Sequence, residues 1–89
     1  MLKPRELEKI VRGFSNHRRI QILELLNREP ELSVFGIAEE LSINYKTSAE
    51  HTRRLAIADL VMKWNSGNTV RHVLTDRGKS ILKFLRTLE

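Results

Sequence analysis

The residues best suited to bind a ligand lie between positions 44 and 54, where polar and basic side chains follow one another closely. Lys and Arg bind phosphate, Arg also binds guanine with two hydrogen bonds, and hydroxyl and amide groups reach base edges. Arg53 and Arg54 are adjacent. Two such neighbours cannot both be buried in a core, so at least one faces solvent. This segment predicts contact with nucleic acid.

The elements that position these side chains are predicted from residues 36–61. Ser33 is suited to cap a short helix, and Ser42 and the residue after it make a tight turn. Asn44 is then suited to cap a longer helix that ends near Ala58. A short helix, a turn and a second helix over residues 34–58 form a helix-turn-helix, whose second helix can enter the major groove of DNA.

Residues 61–75 alternate between apolar and polar side chains in two runs, which predicts two strands. Ser66, Gly67 and Asn68 join the runs and are suited to positive φ in a hairpin turn. Such a hairpin after a helix-turn-helix is a wing. Arg71 leads its DNA-contact candidates, because arginine gains from the potential of a narrow minor groove. A hairpin that touches only solvent is the alternative. For Trp64, packing in the core beneath the wing is favoured over stacking on a base.

The remaining helices are predicted at about 4–14, from 17 to about 28, and at about 76–88, the last capped by Thr75. The first and last carry apolar stripes that exceed what one small core needs. We therefore predict that they form a dimer interface through Leu7, Ile10, Val11, Phe14, Ile81, Leu85 and Leu88. The predicted fold is mainly α with a small β-hairpin, a winged helix-turn-helix with the order α-α-(β)-α-α-β-β-α.

Composition limits the remaining possibilities. The 89 residues make one domain, and the net charge of +5 lies entirely in residues 44–89. Cysteine is absent, the three histidines have no ligand spacing, and no catalytic motif occurs. We therefore expect no metal, no cofactor and no enzymatic activity. Without a membrane span or a signal sequence, the expected location is the cytoplasm.

The predicted DNA contacts combine the second motif helix with the wing. They are Tyr45, Lys46, Thr47, Ser48, His51, Arg53, Arg54, Lys63, Asn68, Thr69 and Arg71. For a small hydroxyl such as Ser48, burial in a polar face of the helix is a competing interpretation. Glu50 would repel phosphate, and an ion pair with a neighbouring arginine is favoured for it over acceptance of a hydrogen bond from cytosine.

A family resemblance adds to these patterns. The segment Ser15-Asn-His-Arg-Arg-Ile-Gln-Ile-Leu-Glu-Leu-Leu26 resembles the opening helix signature of ArsR-like winged helix-turn-helix regulators, and Ile37-Ala-Glu-Glu-Leu41 continues the match. Leu74-Thr-Asp-Arg-Gly78 resembles the last wing strand and final helix of these and of related MarR- and PadR-like proteins. The resemblance implies homodimers that bind palindromic operator DNA and repress transcription.

The chain departs from that family at several positions. Ser42 stands where such turns usually have Gly, and Ser48 and Thr52 stand where the family usually buries Val and Leu. Metal-sensing members use Cys or His/Asp clusters, and no Cys pair exists here, so metal sensing is not carried over.

The predicted function is a sequence-specific DNA-binding transcriptional regulator, a repressor that acts as a homodimer on an inverted repeat. Two alternatives stay open: a winged-helix module that binds proteins, and an architectural protein that binds DNA without sequence preference. A small-molecule effector is not predicted by any motif.

Overall fold

The computed structural model describes all 89 residues and contains five helices and one hairpin. In chain order the elements are α1 Pro4–Phe14, α2 His17–Arg28, α3 Val34–Leu41, α4 Tyr45–Ile57, β1 Val61–Ser66, β2 Thr69–Leu74 and α5 Asp76–Arg86. The predicted order is confirmed. The short β segment predicted before α3 is present as an isolated antiparallel bridge between Leu32 and His72. This bridge joins the start of the helix-turn-helix to the wing.

Each helix after α1 begins at a polar side chain that accepts hydrogen bonds from the first free backbone N–H groups. These caps are Asn16, Ser33, Asn44 and Thr75. Each such cap typically stabilises its helix by about 1 kcal/mol. Thr75 also donates its hydroxyl to the carbonyl of Asp59, which ties the start of α5 to the end of α4. No helix combines the length and the apolar character needed to cross a bilayer.

The core is built around α2. Ile22, Leu23, Leu25 and Leu26 are almost completely buried. Phe14 joins the same cluster with only 8% of its surface exposed. Its assignment to the dimer interface is therefore wrong: Phe14 lies on the side of α1 that meets the body of its own chain, and core packing occupies it.

Two glycines allow helices to approach their neighbours closely. A Cβ atom on Gly13 would collide with the methyl group of Ala58, and one on Gly78 would collide with the carbonyl oxygen of Leu60. Gly13 thereby places the end of α1 directly against the end of α4. Gly78 places the first turn of α5 against the segment that leads into the wing.

The hairpin pairs Val61 with Leu74 at its base and Ser66 with Thr69 at its tip. Only Gly67 in this turn has a positive φ, +65°, so the expectation of positive φ at its neighbours is wrong. A two-residue loop with Gly first is one of the favoured hairpin turns, because its twist matches that of the strands.

Trp64 is 42% exposed, so its predicted burial beneath the wing is wrong. Directly opposed residues share a face of an antiparallel pair, and Trp64 is opposite Arg71. The buried face of the hairpin instead carries Val61, His72 and Leu74. Alternation along the strand therefore places the indole on the outer face.

Candidate nucleic-acid interface

The turn between α3 and α4 fixes the direction of the second motif helix. Ser42 adopts the left-handed conformation, with φ +54° and ψ +44°. The N–H of Ile43 donates to the carbonyl of Ala38 at 3.0 Å, which closes the end of α3. A left-handed non-glycine residue costs on the order of 1 kcal/mol, so the surrounding contacts must hold this turn in place.

The buried face of α4 carries two polar side chains, and both make hydrogen bonds. Ser48 has no exposed surface, and its hydroxyl donates to the carbonyl of Val34 at 2.8 Å. The Thr52 hydroxyl donates to the carbonyl of Ser48 at 2.7 Å. The predicted DNA contact of Ser48 is therefore wrong, since residues 48, 52 and 55 share the buried stripe of the helix. The serine instead fastens α4 to the start of α3.

The start of α4 presents its side chains outward. Tyr45 and Lys46 are exposed, and Thr47 is partly exposed. Asn44 caps the helix through its side-chain oxygen, which accepts from the Thr47 N–H at 2.7 Å. The N-terminal turn, which is the part of a recognition helix that reaches base edges in this motif, is thus ordered and accessible.

One carboxylate holds both arginines of the exposed face. Arg53 lies 2.9 Å and Arg54 3.0 Å from the same oxygen, Oε1 of Glu50. Hydrogen bonds from Arg53 and then Arg54 lower the pKa of Glu50 below its ordinary value. All three side chains are about half exposed, where such pairs contribute little stability. A phosphate group can therefore replace the carboxylate as their partner.

His51 is held by a residue from another helix. Arg19 Nε donates to His51 Nδ1 at 3.2 Å, and Arg19 Nη1 donates to the carbonyls of Arg12 and Gly13. Acceptance at Nδ1 leaves the imidazole proton on Nε2, which can donate to a ligand. Partial burial, and then the charge of Arg19, lowers the pKa of His51. No local pattern connects residues 32 positions apart, so sequence reasoning missed this contact.

The base of the wing is fastened to the segment before α3. The guanidinium of Arg71 donates to the carbonyl of Glu31 at 3.0 Å, and the N–H and Nδ1 of His72 lie 3.0 and 2.9 Å from the carbonyl of Leu32. Burial lowers the pKa of His72, the hydrogen bond to Leu32 acts in the opposite direction, and Lys63 adds to the lowering. Arg71, the leading wing candidate, thus lies against this base.

Three predicted residues meet in one groove between the start of α4 and the wing turn. Tyr45, Asn68 and Thr69 line it together with residues of α3, and its volume is about 400 Å³. Lys63 and Arg71 lie outside it. Phe35 also lines the groove with 60% of its surface exposed, and sequence reasoning missed it. The sequence did contain a signal for it, because this aromatic residue lies next to the buried apolar positions of α3 and is not one of them.

Comparison with known proteins gives matches only at the level of structure. No protein-family model matches the chain, and no curated protein sequence matches it. The transcriptional regulator HlyU of Vibrio vulnificus is 28% identical, with a TM-score of 0.75 over 92% of this chain and 85% of that one. Reduced HlyU of Vibrio cholerae is 26% identical, with a TM-score of 0.79 over 93% and 87%.

A third solved structure carries the family name. It is the homodimeric winged helix-turn-helix DNA-binding domain Mb0332 of Mycobacterium bovis, a possible ArsR-family transcriptional regulator. It is 21% identical, with a TM-score of 0.84 over 93% of this chain and 77% of that one. The fold of this chain is therefore the winged helix-turn-helix of that domain. The predicted resemblance is confirmed.

Within this winged helix-turn-helix, the departures noted in the sequence have structural outcomes. Ser42 takes the left-handed turn conformation without glycine, and Ser48 and Thr52 occupy the buried stripe as hydrogen-bonded polar residues. Arg54 lies outside that stripe and pairs with Glu50. The chain brings no three His, Asp or Glu side chains together in an arrangement that could hold a metal ion.

Proposed function

We propose that this protein is a sequence-specific DNA-binding transcriptional regulator that acts as a homodimer on an inverted repeat. The observation that carries the proposal is the groove in which the exposed start of α4 and the wing turn meet. The solved neighbours support it, since HlyU of Vibrio vulnificus is a transcriptional regulator and Mb0332 is a homodimeric DNA-binding domain.

In the proposed complex, α4 lies in the major groove and the wing follows the flanking backbone. The proposed contacts are Tyr45, Lys46, Thr47, His51, Arg53, Arg54, Lys63, Asn68, Thr69 and Arg71. Lys46 and the two arginines supply positive charge for phosphate or guanine. The net charge of +5 lies in residues 44–89, the part of the chain that contains all of these contacts. Binding would block other proteins from the same DNA, so the proposed outcome is repression in the cytoplasm.

The proposed dimer uses apolar surface that the single chain leaves uncovered. Leu7 and Val11 of α1 are 48% and 51% exposed, and Leu88 after α5 is 68% exposed. Three more members of the proposed interface are partly buried against the core: Ile10, Ile81 and Leu85. Two-fold symmetry would place the two α4 helices one DNA turn, roughly 34 Å, or a multiple of it apart.

Selection of bound sequences from a random DNA pool tests the function directly. With purified protein at about 150 mM salt, we expect enrichment of an inverted repeat. Retained DNA without an enriched sequence would contradict specific regulation and favour an architectural role. Absence of retained DNA would favour a protein-binding module. A reporter gene with the selected site at its promoter then tests repression: expression should rise when the regulator is removed.

The dimer has its own test. Sedimentation of the protein should give the mass of two chains. A variant with Leu7→Glu and Val11→Glu should remain folded but sediment as one chain, because charge replaces exposed apolar surface on α1. A wild-type protein that sediments as a monomer at the concentrations that bind DNA would contradict the dimer.

A further inference from the structure

A cationic cleft lies where the end of α1, the start of α2 and the end of α4 meet. Lys9, Arg12, Arg19 and Arg54 contribute their side chains to it from three helices. Ile57 and Ala58 give it an apolar wall, and its volume is about 250 Å³. The predicted DNA contacts include only Arg54 from this set.

The charges around this cationic cleft are not balanced. Arg12 pairs with Glu8 at 3.2 Å, and Arg54 pairs with Glu50 at 3.0 Å. Lys9 and Arg19 have no carboxylate within 4.0 Å. Four cations thus share two carboxylates at one concave surface. Like charges held close together repel one another, and an anion bound between them would remove that cost.

Arg19 is already positioned for a ligand. Its Nε and Nη1 atoms are fixed by hydrogen bonds to His51 and to the last carbonyls of α1, which leaves Nη2 without a protein partner. A guanidinium that is held in place loses less side-chain entropy when it binds an anion than a mobile one does. The lowered pKa of His51, caused by burial and then by Arg19, agrees with a positive local potential.

The cationic cleft stays open in the proposed dimer. At about 100° per residue, Lys9 lies roughly 160–200° around α1 from Leu7 and Val11. The two apolar residues can therefore meet a partner chain while Lys9 faces the opposite side. On α4, Arg54 continues the exposed face that carries Lys46 and Glu50, so the cleft borders the proposed DNA-contacting surface.

We propose that the cationic cleft binds a phosphate group. Arginine binds phosphate oxygens with paired hydrogen bonds, and lysine adds a point charge. The phosphate can come from a small organic phosphate whose apolar part lies on Ile57 and Ala58, or from the DNA backbone beside the recognition helix. The second source rests on the proposed function, whereas the first can be measured without DNA.

The test for a free ligand uses phenyl phosphate, which joins a dianionic head to an apolar ring. Titration of ¹⁵N-labelled protein up to tens of millimolar should shift the Gly13 amide and the Arg19 Nε–H signals in a saturable way. Lys9→Gln should weaken this binding severalfold. Lys83→Gln, which removes an exposed lysine from α5, is the matched control and should bind as the wild type does.

The second arm measures the salt dependence of DNA binding for the same variants. If DNA supplies the phosphate, Lys9→Gln should lower the slope of log K against log salt by about 0.9, and Lys83→Gln should not. Either binding of phenyl phosphate or this slope change supports a phosphate site in the cationic cleft. Which of the two effects is observed identifies the source of the phosphate. If the protein binds DNA but shows neither effect, the proposed phosphate site is wrong and the proposed function stands. Phenyl phosphate binding without any DNA binding overturns the proposed function alone.

Discussion

Helix α4 and the wing carry positive charge in different ways. On α4, Arg53 and Arg54 share the carboxylate of Glu50 on the solvent side of the helix. The wing strands contain Lys63 and Arg71 and no carboxylate at all. Arg71 donates to a backbone carbonyl, which satisfies a hydrogen bond without cancelling its charge. The arginines of the helix are thus partly neutralised, and an incoming phosphate must displace their carboxylate, whereas the wing keeps its full charge.

The two elements also differ in how they are held. Serine and threonine hydroxyls fasten α4 from its buried side. The wing is fastened at its base, where His72 meets Leu32, while the turn at Gly67 has no neighbour within reach of a Cβ atom. Because the helix is fixed and the tip of the hairpin is free, we expect α4 to select the DNA sequence and the wing to adapt to the flanking DNA backbone.

Removal of both arginines from α4 should have the largest effect on DNA binding. Arg53→Ala with Arg54→Ala deletes two cations and leaves Glu50 without a partner beside the phosphates. We expect affinity to fall by about 2 kcal/mol or more, roughly thirtyfold, and the salt slope to become shallower by about 2. Fluorescence anisotropy over a salt series measures both quantities.

The control for that double variant is Lys79→Ala with Lys83→Ala, which removes the same charge from exposed positions on α5. It should change affinity far less. Equal losses in the two double variants would mean that only net charge matters. Unchanged affinity and slope in the arginine variant would remove α4 from the proposed interface.

Substitution of Glu50 should act in the opposite direction. Glu50→Gln keeps the shape of the side chain, removes the carboxylate that lowers the charge of α4, and frees both arginines for phosphate. We expect affinity for random DNA to rise severalfold and the salt slope to steepen by up to about 2. Discrimination between the operator and random DNA should narrow, because the freed charge binds every sequence.

The comparison between helix and wing predicts that no wing substitution to glutamine reproduces this gain, since the wing has no carboxylate to remove. Asn65→Gln serves as the matched control. A Glu50→Gln protein with weaker operator binding would show instead that the carboxylate contacts a base, as acceptance from cytosine would require.

Local sequence predicted the elements well because their ends depend on neighbouring residues. Ser33, Asn44 and Thr75 cap helices through the N–H group three positions ahead, and the hairpin follows from alternation and one glycine. Such signals lie within a few residues of the feature that they determine. The element order was therefore predictable from one chain.

The site was predicted less completely because its side chains depend on tertiary neighbours. A serine in a polar helix can face either way, and only contact with Val34 decides that Ser48 is buried. Strand alternation predicts two faces but not which one meets the core, so Trp64 was assigned to the wrong side. The contact between Arg19 and His51 joins two helices that no spacing rule connects.

A pair of single substitutions separates the inner and outer faces of α4. Ser48→Ala removes a buried hydrogen bond and should lower the free energy of unfolding by about 1 kcal/mol, while the folded protein keeps its DNA affinity. Lys46→Ala should do the reverse, with weaker DNA binding and unchanged stability. Urea denaturation and anisotropy on both proteins measure the two effects. Loss of affinity in a fully folded Ser48→Ala protein would restore the serine to the interface.

The smallest expected effect concerns the base of the wing and depends on pH. His72 is buried with Nδ1 against the Leu32 carbonyl, so the neutral imidazole with its proton on Nδ1 fits the site. Burial lowers the folded pKa below the ordinary 6.5. As the pH falls, the unfolded chain therefore takes up a proton before the folded chain does. The stabilising contribution of neutral His72 is complete above about pH 6.5 and decreases from there toward the lower folded pKa.

Unfolding free energies between about pH 7.5 and about pH 5.5 should show this loss, and that range keeps the carboxylates charged. His51, whose pKa is also lowered, contributes with the same sign. His72→Gln should reduce the loss, and Asn65→Gln, at an exposed position of the same hairpin, should leave it unchanged. If His72→Gln retains the whole pH dependence, the proton is taken up elsewhere, and His51 on α4 becomes the group to replace next. That result would place the acid-sensitive contact in the helix and not in the wing.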